Sequence, residues 1–192
     1  MQKIKDIVKS LKAGGVGVIP TDTIYGIVCS VSNKTAVERI YQLRRRSPNK
    51  PSIILISSLE DLNEFNIVLT DQTKRFLKKV WPNPVSVVLP CLNKELEYLH
   101  RGTNTLAFRI PSNKFLQKLL KLSGPLIAPS ANFEGQKPAE TIEEAFNYFK
   151  ENLDFYINGG KIKGQPSTVV EIKDNQIRVL RQGVVKVNPS LL

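Results

Sequence analysis

Short apolar runs that stop at a proline or a small polar residue recur along this chain, separated by amphipathic segments. That alternation restricts the fold more than any other feature. Residues 16–20 read VGVIP, 85–90 read VSVVLP, 126–129 read LIAP, and the run 103–110 halts before Pro111. Proline has no N–H to give a β-ladder, so each run predicts a strand that ends where the proline stands. Further strands are expected at 26–32, 52–57 and 155–158, with a hairpin of 168–172 and 177–181 around the turn 173–176. Between them, apolar residues recur at helical spacing: Ile4, Ile7, Val8 and Leu11 predict a helix over 2–13 that Gly14 and Gly15 end. Helices are also expected at 58–65, 70–80 and 112–122. Two more start at capping boxes, Thr35 with Glu38 and Thr141 with Glu144. Residues 91–102 read as irregular. Strands alternating with helices, with no internal repeat, predict one α/β domain over 1–192.

The sequence also excludes several kinds of chemistry. Cys29 and Cys91 form no CxxC pair and His100 is the only histidine. A Cys/His zinc site and a histidine-based nucleophilic triad therefore have almost nothing to be built from. No apolar run reaches the roughly 20 residues that span a bilayer. The lysine-dotted N-terminus lacks the apolar core of a signal peptide, so a cytoplasmic location is expected. Lys and Arg exceed Asp and Glu by 28 to 17, a net charge of +11, which favours anionic partners or a lysine-coated surface.

Four polar clusters stand at or beside strand ends: PTDT at 20–23, Arg109 before Ile110-Pro111, PSAN at 129–132, and Ser167-Thr168. Singly, each is explained by turn chemistry. Together they predict one crevice, because ligands in open α/β sheets sit beyond strand ends. A cationic knot follows the second predicted helix: Arg44, Arg45, Arg46 and Lys50, with no acid among them. Helix-end charge complementation accounts for one or two of these cations. Four in seven positions predict a bound phosphate, which arginine meets in bidentate fashion and lysine as a point charge. Neither a Walker loop nor GxGxxG is present, so side chains must do the holding.

PTDTIYG at 20–26, LRRRSPNKP at 43–51, PSAN, STVV at 167–170 and VLRQG at 179–183 resemble, in order, the YrdC-type threonylcarbamoyl-AMP synthases. The resemblance extends from about Lys3 to Val185, in the short single-domain form of the family. It implies an open twisted mixed sheet with flanking helices and a concave basic face. It implies an enzyme that condenses L-threonine, bicarbonate or CO2, and ATP to threonylcarbamoyl-adenylate and pyrophosphate. The adenylate would serve a separate transferase complex that modifies tRNA, and magnesium would arrive with the ATP rather than at a dedicated metal site. Carried over residue by residue, it assigns Thr21, Thr23, Tyr25, Arg109 and Ser167 to threonine and bicarbonate. It assigns Arg44, Arg46, Lys50, Ser130, Asn132, Thr168 and Arg181 to ATP, with Arg44 and Arg46 as the catalytic cations. The chain departs from the family pattern where Lys-x-Arg-Pro becomes Arg44 to Ser47, exchanging a point charge for a planar fork.

Two other readings stay open at this level. A basic face alone would suit an RNA-binding module, whose affinity would fall steeply with salt. A carbamoyl-adenylate-forming domain of the hydrogenase-maturation type comes in much longer chains with cysteine-rich segments.

Overall fold

The apolar runs become nine strands of one mixed sheet in the computed structural model, which describes residues 2–173 and 176–188. In chain order they are β1 (Gly17–Pro20), β2 (Tyr25–Ser30), β3 (Ile53–Leu55), β4 (Val85–Pro90), β5 (Thr105–Arg109), β6 (Leu126–Ile127), β7 (Phe155–Tyr156), β8 (Thr168–Lys173) and β9 (Gln176–Arg181). Across the sheet the order is β7-β1-β2-β6-β3-β5-β4-β8-β9. The pairs β1–β7, β3–β5 and β4–β8 are parallel and the others antiparallel. The expected pairing of the two C-terminal strands is present, although Asp174 and Asn175 of its turn lie outside the described residues.

The helices are α1 (Gln2–Lys12), α2 (Lys34–Leu43), α3 (Asp71–Val80), α4 (Glu97–His100), α5 (Lys114–Ser123) and α6 (Ile142–Phe149). Among the described residues no helix is long and apolar enough to cross a membrane. Three details differ from the sequence expectation, each for a local reason. The cap of α2 is Asn33, not the Thr35–Glu38 box: Asn33 is extended and its Oδ1 accepts from Ala36 N at 2.8 Å. That places Thr35 inside the first turn and frees Glu38 to pair with Arg101. Residues 58–65 tighten to a 3-10 helix over Glu60–Phe65, because the Asp61 carboxylate gathers the backbone N–H and hydroxyl of both Ser57 and Ser58. The irregular stretch 91–102 closes into a 3-10 turn at Lys94–Leu96 followed by α4. The second expected cap holds, with Thr141 accepting from Glu144 N at 3.2 Å.

Period-two alternation divides the strands between two faces. Val18, Ile27, Cys29, Ile54, Val87, Phe108 and Val170 pack with Val37 and Ile40 of α2 and Phe76 and Leu77 of α3. On the other face Ile19, Val28, Leu55 and Leu126 pack under Ile7 and Leu11 of α1 and Leu116, Leu119 and Leu120 of α5. Five such buried side chains, at about 1.5–3 kcal/mol each before entropy, hold these two helices down. Their cover stops at β3. Farther along the sheet the residues pointing the same way, Val88, Ala107, Val169 and Glu171, line an open crevice. The site lies at that boundary.

Candidate active site

The turn after β1 is built by Thr21. Its Oγ1 accepts from the N–H groups of Thr23 (3.1 Å) and Ile24 (3.2 Å) and donates to Ile24 O at 2.6 Å. The same atom lies 3.0 Å from Thr23 Oγ1, which also accepts from Arg109 Nη1 at 3.5 Å. Arg109 closes β5, and period two turns its side chain toward the bare face with Ala107. Its Nη2 stands 3.1 Å from Asp22 Oδ1, with both side chains 5% exposed. Oδ1 makes no aligned hydrogen bond, so this contact is an ion pair only, and Arg109 Nε has no partner. Burial pushes the Arg109 guanidinium down from its ordinary range, and Asp22 opposes that push. Tyr25 lies fully buried; its hydroxyl donates to Gly160 O (2.8 Å) and accepts from Gly159 N (2.9 Å). The tyrosine thereby ties Gly159 and Gly160 down beside the turn. At Gly164 the chain runs so close to the turn that a Cβ would lie 1.8 Å from Thr23 O.

The cationic knot fans out rather than converging. Arg44, the C-cap of α2, is buried; its Nε donates to Asn132 O (3.1 Å) and its Nη2 to Ser130 Oγ (3.2 Å) and Asn132 Oδ1 (3.4 Å). Its Nη1 is buried without a partner. Burial, then the neighbouring Arg46, brings the Arg44 guanidinium down to about 10. Arg45 takes a left-handed backbone (φ 51°), which turns its guanidinium away onto the ring of Phe133, 4.2 Å from the centroid. Arg46 donates from Nε to Lys50 O (3.2 Å) and from Nη2 to Pro51 O (2.9 Å). The acid missing from the knot comes from the loop after PSAN. Glu134 accepts from Ser47 N at 2.5 Å and from Lys50 Nζ at 2.9 Å.

The PSAN loop is stitched to β2. Ile27 N donates to Pro129 O and Ala131 N to Tyr25 O, both at 2.9 Å, and Asn132 Nδ2 closes the loop onto Phe133 O and Gln136 O. Beside β8, Ser167 Oγ is 2.9 Å from Ser86 Oγ, and Arg181 Nη2 donates to Ser167 O at 2.8 Å. Burial lowers the Arg181 guanidinium as well.

All four strand-end clusters therefore meet at one crevice of about 290 Å³. Among the described residues its charged lining is four arginines (Arg44, Arg46, Arg109, Arg181) and one carboxylate (Glu134). Gly26 forms part of the floor, where a Cβ would come within 3.2 Å of Thr21 Cγ2. An adjoining crevice of about 360 Å³ shares Arg44, Arg46, Ser130 and Arg181 and continues over Val88, Ala107, Val169 and Leu180. Partly dehydrated guanidiniums in such excess call for a multiply charged anion, with room beside it for an apolar, flat group.

Among the residues expected at the site, Thr21, Thr23, Tyr25, Arg44, Arg46, Arg109, Ser130, Asn132, Ser167 and Arg181 line this crevice. Lys50 and Thr168 do not. The Lys50 side chain is 64% exposed against Glu134, and the buried Thr168 hydroxyl donates to Val185 O and accepts from Gly183 N. Sequence reading missed Glu134 and Ser86. His100, buried in α4, is not part of the lining.

A family model for Sua5, YciO and YrdC proteins, described as "Telomere recombination", matches residues 9–183. The chain belongs to this family. Among its Sua5/YciO/YrdC relatives, the threonylcarbamoyl-AMP synthase of Nitrosococcus oceani is 30% identical over 91% of this chain and 94% of its own length. That of Pyrococcus abyssi is 30% identical over 94% of this chain but only 54% of its own length. The chain thus spans about half of some relatives and nearly all of others. The sheet superposes on P. abyssi Sua5 complexed with L-threonine with a TM-score of 0.88 at 29% identity, covering 95% of this chain and 54% of that one. Escherichia coli YciO gives 0.87 at 28% identity, over 98% and 92%. The expected open mixed sheet with flanking helices is the family fold.

Proposed function

We propose that this protein is a threonylcarbamoyl-AMP synthase, joining L-threonine, bicarbonate or CO2, and ATP into threonylcarbamoyl-adenylate with release of pyrophosphate. The observation that carries the reading is the convergence of Arg44, Arg46, Arg109 and Arg181 on one crevice with a single carboxylate. At one end Arg109, backed by Asp22, takes the threonine carboxylate. Thr23, bonded to Arg109, and Ser167 on the same crevice would partner the substrate hydroxyl, and a polar partner of that kind rejects valine. The threonine amine adds to CO2 and loses a proton, giving a carbamate. At the other end Arg44, Arg46 and Arg181 hold the triphosphate, with Ser130 and Asn132 orienting Arg44, and the nucleoside extends over the apolar floor of β4, β5 and β8.

A carbamate oxygen then forms a bond to the α-phosphorus while the bond to the pyrophosphate oxygen breaks. Arginines preset around both groups neutralise the charge that moves to the leaving group. No covalent enzyme intermediate and no histidine are needed. Among the described residues no group of three or more His, Cys, Asp or Glu is placed to hold a metal. A single lining carboxylate fits a magnesium ion held mainly by phosphate oxygens and water. Such an ion would supply further charge neutralisation on the triphosphate. The product would pass to a separate transferase for tRNA modification in the cytoplasm, and the excess of positive charge would favour direct contact with the RNA.

The test is pyrophosphate release from ATP by the purified protein with magnesium. Release that needs both threonine and bicarbonate, and that valine does not support, is expected. Release independent of either would overturn the reading.

A further inference from the structure

Arg101 lies outside the crevice and has no part in the chemistry above, yet its placement carries local costs. It caps α4 in the left-handed region (φ 55°) although the next residue is glycine, the residue suited to that conformation. Its side chain is 10% exposed, and its Nε and Nη2 are buried without hydrogen-bond partners. In this arrangement the guanidinium grips α2. Nη1 lies 2.9 Å from Glu38 Oε1, and Cζ sits 3.8 Å above the centroid of the Tyr41 ring.

Tyr41 connects this grip to the crevice. Its hydroxyl donates to Lys50 O at 2.8 Å and lies 3.4 Å from Ser52 Oγ. The same Lys50 carbonyl accepts from Arg46 Nε at 3.2 Å, and the next carbonyl, Pro51 O, accepts from Arg46 Nη2 at 2.9 Å. The Arg46 guanidinium is 5.8 Å from the Tyr41 centroid. Arg46 is attracted through space by Glu134, but its hydrogen bonds go to these two carbonyls and not to a side-chain acid. Its direction depends on two backbone carbonyls, and one of those is held by Tyr41.

We infer that Arg101 is a positioning residue for Arg46: by fixing the Tyr41 ring it sets the Lys50 carbonyl and so aims the Arg46 guanidinium into the anion crevice. The inference rests on the functional reading only in taking Arg46 as a phosphate ligand. Removing Arg101 should weaken polyphosphate binding and leave the threonine end, built on Arg109, Asp22 and Thr23, unaffected.

The experiment measures binding of ATP, tripolyphosphate and L-threonine by calorimetry in four variants: Arg101→Met, Arg101→Lys, Tyr41→Phe and the double variant Arg101→Met/Tyr41→Phe. Circular dichroism checks that each is folded. Tyr41→Phe keeps the ring and its cation and removes only the hydroxyl. Arg101→Met and Tyr41→Phe should each weaken ATP and tripolyphosphate about five- to tenfold, the size of one mispositioned charged contact. Threonine affinity should stay within about twofold. Arg101→Lys, which returns a cation to the ring, should recover part of the loss. The double variant should be no worse than the poorer single one, because both act along one path. Unchanged polyphosphate binding in Arg101→Met, equal loss of threonine and polyphosphate, or full additivity would each overturn the inference. Wild-type protein that binds tripolyphosphate through this network but makes no adenylate would instead refute the functional reading alone.

Discussion

Replacing Arg44 with methionine separates what this guanidinium does for the fold from what it does for a ligand. Burial and Arg46 bring its pKa to about 10. From an ordinary value of about 12.5, at about 1.4 kcal/mol per pH unit, the charged form loses about 3 kcal/mol on folding. The unfolded chain holds this proton more tightly, so the penalty applies at every pH below about 10 and is relieved only above it. Against it stand three hydrogen bonds, to Asn132 O, Ser130 Oγ and Asn132 Oδ1. Each contributes roughly 1 kcal/mol net. The two sides nearly cancel. Methionine removes both and keeps much of the apolar volume, but it leaves the acceptors of Asn132 and Ser130 without their donor at about 1–2 kcal/mol, so the melting temperature without ligand should fall by no more than about 8 °C. The ligand has no such compensation. Losing a charge-assisted contact to phosphate removes about 1.5–3 kcal/mol, or about tenfold to 150-fold in ATP affinity. Differential scanning fluorimetry and calorimetric ATP titration read the two effects separately. A ligand-free melting temperature more than about 10 °C lower would show Arg44 to be a structural pillar. ATP affinity within about twofold of wild type would remove it from the phosphate site.

Three other perturbations probe the surroundings. Glu134→Gln should tighten ATP about threefold to tenfold, since it removes the carboxylate that lines the arginine crevice. The Ser47 N–H and then Lys50 hold the Glu134 carboxyl below the usual carboxylate range. Its stabilising contribution is therefore present above that range and lost as the pH falls through the lowered value, so denaturant melts of variant and wild type should converge in acid. Thr168→Val leaves Val185 O and Gly183 N without the hydroxyl they share. It should reduce stability by about 1–3 kcal/mol while the KM for ATP and threonine stays put, because Thr168 does not line the crevice. Burial pushes the Cys29 and Cys91 thiols up, so iodoacetamide should label neither until denaturant is added.

What the sequence made legible was what local physics decides. Pro20 and Pro90 stand where β1 and β4 end, and the strand expected before Pro111 is β5, with Arg109 as its last residue. Thr21 builds a turn, and the same turn is one wall of the crevice, so turn chemistry and a place in the crevice lining are compatible in PTDT. The helix cap at Asn33 was misread because Thr35 and Glu38 fit the local pattern equally well. The choice depends on where the chain leaves β2. Partners distant in the chain were out of reach. Glu134 lies 84 residues from Lys50, and Gly159–Gly160 some 134 from Tyr25, so neither the acid of the cationic knot nor the occupation of the tyrosine hydroxyl could be foreseen. Arg45 looked like a fourth phosphate ligand until its left-handed backbone turned it onto Phe133.

The central claim is that one crevice brings carbamoylated threonine and ATP together and joins them. The most direct measurement follows carbon from bicarbonate into the product. Protein incubated with ATP, magnesium, L-threonine and 13C-bicarbonate, then quenched and analysed at once by mass spectrometry, should yield an adenylate carrying both threonine and one 13C, in step with pyrophosphate. AMP and pyrophosphate without any labelled adenylate, or a threonyl-adenylate lacking the label, would contradict it.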